Sequence, residues 1–171
     1  GAIAKDGHDY GNTDLVQFHL EIEPNAKPVR QKVRPLNPIQ TSDLERQLDE
    51  WTKEGVIEPS RSEWASPLVP VIKKASSKLR WCVDFRALNK VTKRDSFPLN
   101  SVETCLSQLS ESDVFSTLDS CGAYHAVTIH PDSRDYTSFI APQGLFRFKK
   151  LPFGLCNAGA TYSRLIDIAL N

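Results

Sequence analysis

The sequence predicts an α+β fold. Three observations carry that prediction: helical patterns fall between antiparallel hairpin patterns, no regular β-α-β alternation occurs, and no Gly-rich phosphate loop or dinucleotide fingerprint is present. With 171 residues and 40% hydrophobic content, the chain can bury a packed core, as one domain of ordinary size or as part of a larger one. It contains no internal repeat and no low-complexity tract.

Residues 1–40 are rich in Gly, Asn, Asp and Pro and read as an extended arm. Within them the alternation over residues 16–22 predicts an edge strand, and Pro24, Pro28, Pro35 and Pro38 argue against a helix. The first helix is expected from Ser42, where Ser42-Asp43-Leu44-Glu45 has capping-box spacing, Leu44, Leu48 and Trp51 share a face, and Gly55 is placed to end it. Residues 67–73 predict a strand that Pro70 confines to a sheet edge or a bulge. Residues 75–78 are a turn, and 79–85 the return strand of a hairpin. A second helix is expected from Asn100 or Ser101 to about Leu109, capped by Asn100. Residues 114–119 and 126–130 read as buried strands, and residues 138–140 and 145–148 as a hairpin around Pro142-Gln143-Gly144. The last helix begins near Asn157.

Lys+Arg and Asp+Glu are equal at 21 each, so bulk charge names no polyanionic partner. The distribution says more. Lys73, Lys74, Lys78, Arg80, Arg86, Lys90, Lys93 and Arg94 face a single acid, Asp84, within residues 73–94, which makes a basic stripe. Cys82, Cys105, Cys121 and Cys156 show no metal-ligand or disulfide-scaffold spacing and read as reduced thiols of a cytosolic protein. His8, His19, His125 and His130 likewise lack ligand spacing and read as surface or packing residues. No apolar run approaches the roughly 20 residues of a membrane span. The absence of methionine, even at position 1, and the helical pattern running to Asn171 point to a chain cut from something longer.

Two segments carry the chemistry. Asp119 follows the apolar stretch 114–118, where a buried ionised carboxylate needs a cationic partner; Mg²⁺ would serve, and the plainer alternative is an Asp that caps the Ser120-Cys121-Gly122 turn. Tyr124, five residues on, reads either as a core aromatic or as a ring packed under a sugar, where its bulk would exclude a 2′-hydroxyl. The hairpin bearing Lys73, Lys74 and Arg80 suits phosphate charge, with a solvated, edge-protecting hairpin as the alternative. Arg86 sits beside Asp84 and reads as a local ion pair.

The residue blocks 55–60, 64–69, 80–89, 115–119 and 151–158 stand in an order and at a spacing that closely resembles reverse transcriptases of Gypsy or Ty3-like long-terminal-repeat retrotransposons, from about residue 14 onward. The resemblance implies a right-hand polymerase: an arm or linker over 1–40, fingers over 41–113, and a partial palm with a returning fingers hairpin over 114–171. It implies that Asp119 and the backbone carbonyl of Ser120 hold Mg²⁺, two ions in the complete enzyme, and that Tyr124 is the steric gate against ribonucleotides. By the same resemblance Lys73 or Lys74 and Arg80 contact the triphosphate, Phe153 and Gly154 line the nucleotide pocket, and Phe85 lies against the template.

The implied chemistry is RNA-directed DNA polymerisation: a primer 3′-hydroxyl attacks the α-phosphate of a deoxynucleoside triphosphate on an RNA or DNA template. The implied partners are that template with its primer, deoxynucleoside triphosphates, and the remaining palm, RNase H and integrase parts of one polyprotein. A membrane is not among them, and the implied location is cytoplasmic, with virus-like particles as a further setting. Three departures stand out: Gly159 replaces the family's usual proline after Asn-Ala, Ser120-Cys121-Gly122-Ala123 is an uncommon turn, and the sequence holds no Asp-Asp pair, so the family's Tyr-x-Asp-Asp hairpin is missing. The chain is therefore expected to be inert alone. A non-catalytic nucleic-acid-binding remnant of a retrotransposon is the competing reading.

Overall fold

The computed structural model describes residues 11–72, 79–98, 101–110, 113–117, 119–120 and 122–170. Its centre is a five-stranded sheet in the order β2-β7-β6-β3-β4, built from β2 (Ile57–Pro59), β3 (Ser66–Ile72), β4 (Leu79–Val83), β6 (Phe139–Ala141) and β7 (Gly144–Phe148). All neighbours are antiparallel except β3 and β6, which run parallel through Ser66↔Phe139 and Pro67↔Ile140. Beyond Pro67 the only neighbour of β3 among the described residues is β4, so Pro70 stands where one side of the strand needs no N–H donor. A separate two-stranded parallel sheet joins β1 (Thr13–Phe18) to β5 (Val127–Ile129), so the expected strand of the arm forms three residues earlier than its alternation predicts.

Helix α1 (Pro38–Lys53) begins four residues before the expected Ser42. Asn37 is the cap: its Oδ1 accepts from the Gln40 N–H at 2.8 Å, and Gln40 Oε1 accepts from the Asn37 N–H at 3.0 Å. Pro38 therefore opens the helix rather than forbidding it, because the first helical N–H has no intrahelical acceptor to lose. Leu44 and Leu48 are buried, and Gly55, at φ +69°, takes the left-handed position that ends the helix. Helix α2 (Arg86–Lys90) follows β4 at once, which stops at Val83 rather than Phe85. In α3 (Val102–Leu109) the cap is Ser101, whose Oγ accepts from the Thr104 N–H at 3.2 Å; Asn100, the expected cap, lies outside the described residues. A short α4 (Pro131–Arg134) precedes β6, and α5 (Ala158–Leu170) begins beside Asn157 as expected and packs on β1.

Aromatic rings close the core. Phe139, fully buried on central strand β6, has the rings of Trp51, Phe146 and Phe148 at 6.4, 5.8 and 5.1 Å.

One expected buried strand, over 114–119, is not seen among the described residues. Residues 113–117, 119 and 120 carry no strand pairing and are exposed, Val114 by 86% and Phe115 by 60%. The apolar pattern is that of a central strand, but no described strand pairs with it, and a strand without neighbours has neither its ladder nor its cover. Among the described residues, no helix is long and apolar enough to cross a membrane.

Candidate active site

Asp119 projects from this exposed segment and is itself exposed, against the expectation of a buried carboxylate; no ion pair to it forms among the described residues. Its neighbour Ser120 accepts a hydrogen bond at Oγ from the Tyr162 hydroxyl at 2.6 Å, which ties the segment to α5. Gly122 then adopts φ +57° and turns the chain into the 3-10 turn Ala123–Ala126, which carries Tyr124 and His125.

The Tyr124 ring lies edge-on to Tyr162 at 5.6 Å and 4.9 Å from the ring of Phe153. Its hydroxyl passes close to Gly159, where a Cβ would come to 4.0 Å, so the residue that departs from the family pattern borders the expected gate. Phe153 is half-exposed and bears the Arg80 guanidinium over its ring, 4.8 Å from the centroid. Gly154 follows at φ +97°, a conformation that an L side chain adopts only under strain.

Thus Ser120, Tyr162, Tyr124, Phe153 and Arg80 are joined by a continuous series of contacts, with Asp119 and Gly154 beside it as chain neighbours of Ser120 and Phe153, although β4, the 3-10 turn and the loop before α5 are far apart in sequence. Lys73 and Lys74 lie outside the described residues. Phe85, expected against the template, is only 2% exposed: it packs 6.3 Å from Phe148 and flanks Gly154, so in this structure it supports the loop from beneath and offers no face to a nucleic-acid strand.

Sequence reading missed Tyr162, because its partners Ser120 and Tyr124 are remote in the chain and only the fold brings them together. Arg86 behaves as expected. Its guanidinium meets the Asp84 carboxylate at 2.8 and 2.7 Å, and Arg34 from the arm adds a third bond at 3.0 Å. The Arg86 hydrogen bond holds the Asp84 carboxyl at about 2, well below the usual carboxylate range.

His125 lies behind the site, its ring 6.2 Å from Phe153, along a cavity of about 370 Å³ lined by β4, Trp51 and Phe153. Burial, reinforced by the positive charges of Lys150 and Arg80, pushes its imidazole down to about 4. A base whose folded value lies below the unfolded one resists protonation in the native state. Stability is therefore expected to be full above pH about 6.5, to fall as pH drops from there toward about 4, and to level off below. His125→Phe should flatten that part of the profile in urea melts taken between pH 7 and 4, and an unchanged slope would discard the assignment.

Among the described residues no group of three or more His, Cys, Asp or Glu side chains could hold a metal ion. Asp119, exposed and without an ion pair among the described residues, fits one position on a hard cation that completes its shell with water and phosphate oxygens. The donors of these residues do not suffice for two ions.

The architecture is that of the fingers and palm of a right-hand polymerase. It aligns with the prototype foamy virus protease-reverse transcriptase at a TM-score of 0.79 and 24% identity, over 94% of this chain and 21% of that one. The foamy viral protease-reverse transcriptase solved with an RNA/DNA hybrid aligns at 0.72 and 20% identity, with the same coverage. Residues 72–171 match the family model for reverse transcriptase (RNA-dependent DNA polymerase), and the chain belongs to that family.

Its curated relatives are retrotransposon polyproteins. It is 36% identical over 137 residues to the retrovirus-related Pol polyprotein from transposon 412 of Drosophila melanogaster, covering 77% of this chain and 11% of the polyprotein. It is 35% identical over 152 residues to the polyprotein from transposon opus of the same organism, covering 86% and 15%. The Tf2-3 polyprotein of Schizosaccharomyces pombe is 30% identical over 155 residues, covering 90% and 12%. The chain thus spans only a small part of the length of these relatives.

Proposed function

We propose that this chain supplies the fingers, residues 41–113, and the first part of the palm, residues 114–171, of an RNA-directed DNA polymerase that extends a primer 3′-hydroxyl with deoxynucleotides. The observation that carries the reading is the contact series from Ser120 through Tyr162, Tyr124 and Phe153 to Arg80, beside Asp119, in a chain of the reverse transcriptase family. Arg80, oriented on the Phe153 ring, is a cation for the triphosphate, with Lys73 or Lys74 as its companion. Tyr124, wedged between Tyr162 and Phe153, presents a rigid surface against a 2′-hydroxyl. Phe153 and Gly154 form the floor of the nucleotide pocket.

The Asp119 carboxylate and the Ser120 carbonyl are the donors this chain would give to Mg²⁺, which supplies charge neutralisation and activation of the attacking oxygen when bound. The sequence contains no Asp-Asp pair, so the carboxylates for a second ion have to come from elsewhere in a polymerase and the 171 residues alone are inert. The partners are a primer-template, deoxynucleoside triphosphates and the other parts of a Pol polyprotein, in the cytoplasm or in virus-like particles.

The test is primer extension on an RNA template by a complete polymerase carrying this sequence. Template-directed, Mg²⁺-dependent incorporation is expected, and Tyr124→Ala should relax discrimination against ribonucleotides on the order of tenfold or more. Unchanged selectivity removes the gate role. Retention of primer-template at low salt without any extension would favour the nucleic-acid-binding remnant, since phosphate contacts survive the loss of catalysis and weaken as salt rises.

A further inference from the structure

Two of the sequence blocks contain an asparagine to which nothing above gives a role: Asn89 ends the block 80–89, and Asn157 lies in the block 151–158. Asn89, on α2, uses both ends of its amide on the loop before α5. Its Nδ2 donates to the Gly154 carbonyl at 2.8 Å, and its Oδ1 accepts from the Cys156 N–H at 3.1 Å. Asn157 does the same in the opposite direction: its Nδ2 donates to the Lys93 carbonyl at 2.8 Å, and its Oδ1 accepts from the Asp95 N–H at 3.1 Å.

Two side chains thus satisfy four main-chain groups on two irregular segments, 93–95 and 154–156, that no sheet ladder joins. The loop they hold has a demanding backbone, with Gly154 at φ +97°, and the residue before it, Phe153, carries the Arg80 guanidinium and touches Tyr124. A second tie runs alongside, where Arg164 on α5 forms a paired ion bridge with Asp95 and lies 4.6 Å over the Phe97 ring. That tie shares Asp95 with Asn157, whereas Asn89 bonds Gly154 and Cys156 directly.

We propose that Asn89 and Asn157 are positioning residues of the nucleotide pocket: a reciprocal amide latch that fixes the 153–157 loop against the segment after β4, and so sets where Phe153 presents Arg80 and Tyr124. The proposal rests on the polymerase reading above. Asn89 is the sharper probe, being partly exposed where Asn157 is buried. Asn89→Ala removes both bonds. Asn89→Asp keeps the shape and the acceptor for Cys156 but sets an anion against the Gly154 carbonyl, so an effect of shape alone would leave it unchanged.

Two measurements test the latch. Amide hydrogen exchange on this 171-residue chain should speed up roughly tenfold at Cys156 in Asn89→Ala and at Asp95 in Asn157→Ala. In a complete polymerase carrying the sequence, both Asn89 variants should raise KM for the deoxynucleotide roughly tenfold, with kcat and primer-template affinity within about twofold of the parent. The proposal fails if KM is unchanged while the parent polymerises, or if exchange at Cys156 is unchanged. It also fails if the rise in KM comes with parallel losses of kcat, primer-template affinity and melting temperature, which is the mark of general support for the fold. A parent that incorporates no nucleotide, with exchange still accelerated in the variants, overturns the polymerase reading and the pocket role with it, while leaving the latch geometry standing.

Discussion

Asp119→Asn is expected to abolish nucleotide incorporation, by on the order of a thousandfold or more, in a complete polymerase carrying this sequence. The substitution keeps the size of the side chain and one acceptor oxygen while removing the charge that a hard cation requires. Because Asp119 is exposed and makes no ion pair among the described residues, stability should change by less than about 0.5 kcal/mol. Primer-template affinity should stay near that of the parent, since under the proposed function cations, not this carboxylate, meet the phosphates. Single-turnover incorporation measured beside filter binding separates the two effects. Residual activity within about tenfold of the parent would refute a role at the reacting centre, and a parallel loss of template binding would recast Asp119 as a structural residue.

The largest effect on stability is expected at Phe139. Phe139→Ala should cost about 3–5 kcal/mol, read as a lowered urea midpoint at unchanged slope. The ring is fully buried on the central strand β6 and meets Trp51 from α1 and Phe146 and Phe148 of β7, so its loss opens a void that three elements would have to collapse to fill. Its backbone pairs with both Ser66 and Phe146, which leaves little freedom for relaxation. Phe139→Leu, closer in volume, should cost roughly 1–2 kcal/mol. An alanine variant that loses less than about 1 kcal/mol would mean that the sheet can close over the gap and that the core is organised elsewhere.

Much of this architecture was legible in the sequence because local signals and tertiary packing agree. The β6–β7 hairpin follows its turn residues, α5 starts beside Asn157, and Gly55 stops α1 where its φ must be positive. Legibility ended where two local signals competed or where a partner was needed. At α1 both Asn37-x-x-Gln40 and Ser42-x-x-Glu45 have capping spacing, and Pro38 settles the start at the earlier one by fitting the first turn. Residues 114–119 have the composition of a central strand, but a strand exists only through its neighbours, and none of the described ones pairs with it.

The site shows the same division. Asp119, Arg80 and Phe153 stand in the sequence blocks and Tyr124 at a fixed spacing from Asp119, whereas the contacts of Tyr162, Asn89 and Asn157 join remote parts of the chain and can be read only from the fold. Phe85 illustrates the converse: an aromatic in a strongly patterned block was expected to meet nucleic acid, and the bend from β4 into α2 turns it into the core.

The parallel pairing of β1 with β5 couples Thr13 to Val127, two positions separated by most of the chain. Closing so long a loop is entropically costly until the intervening strands have already brought its ends together, so this ladder is expected to form after them. The ladder is short, but Phe18 enters the core and α5 packs over the strand. The arm therefore acts as a clasp, anchored in the core by Phe18 and paired with the strand that leads away from Tyr124.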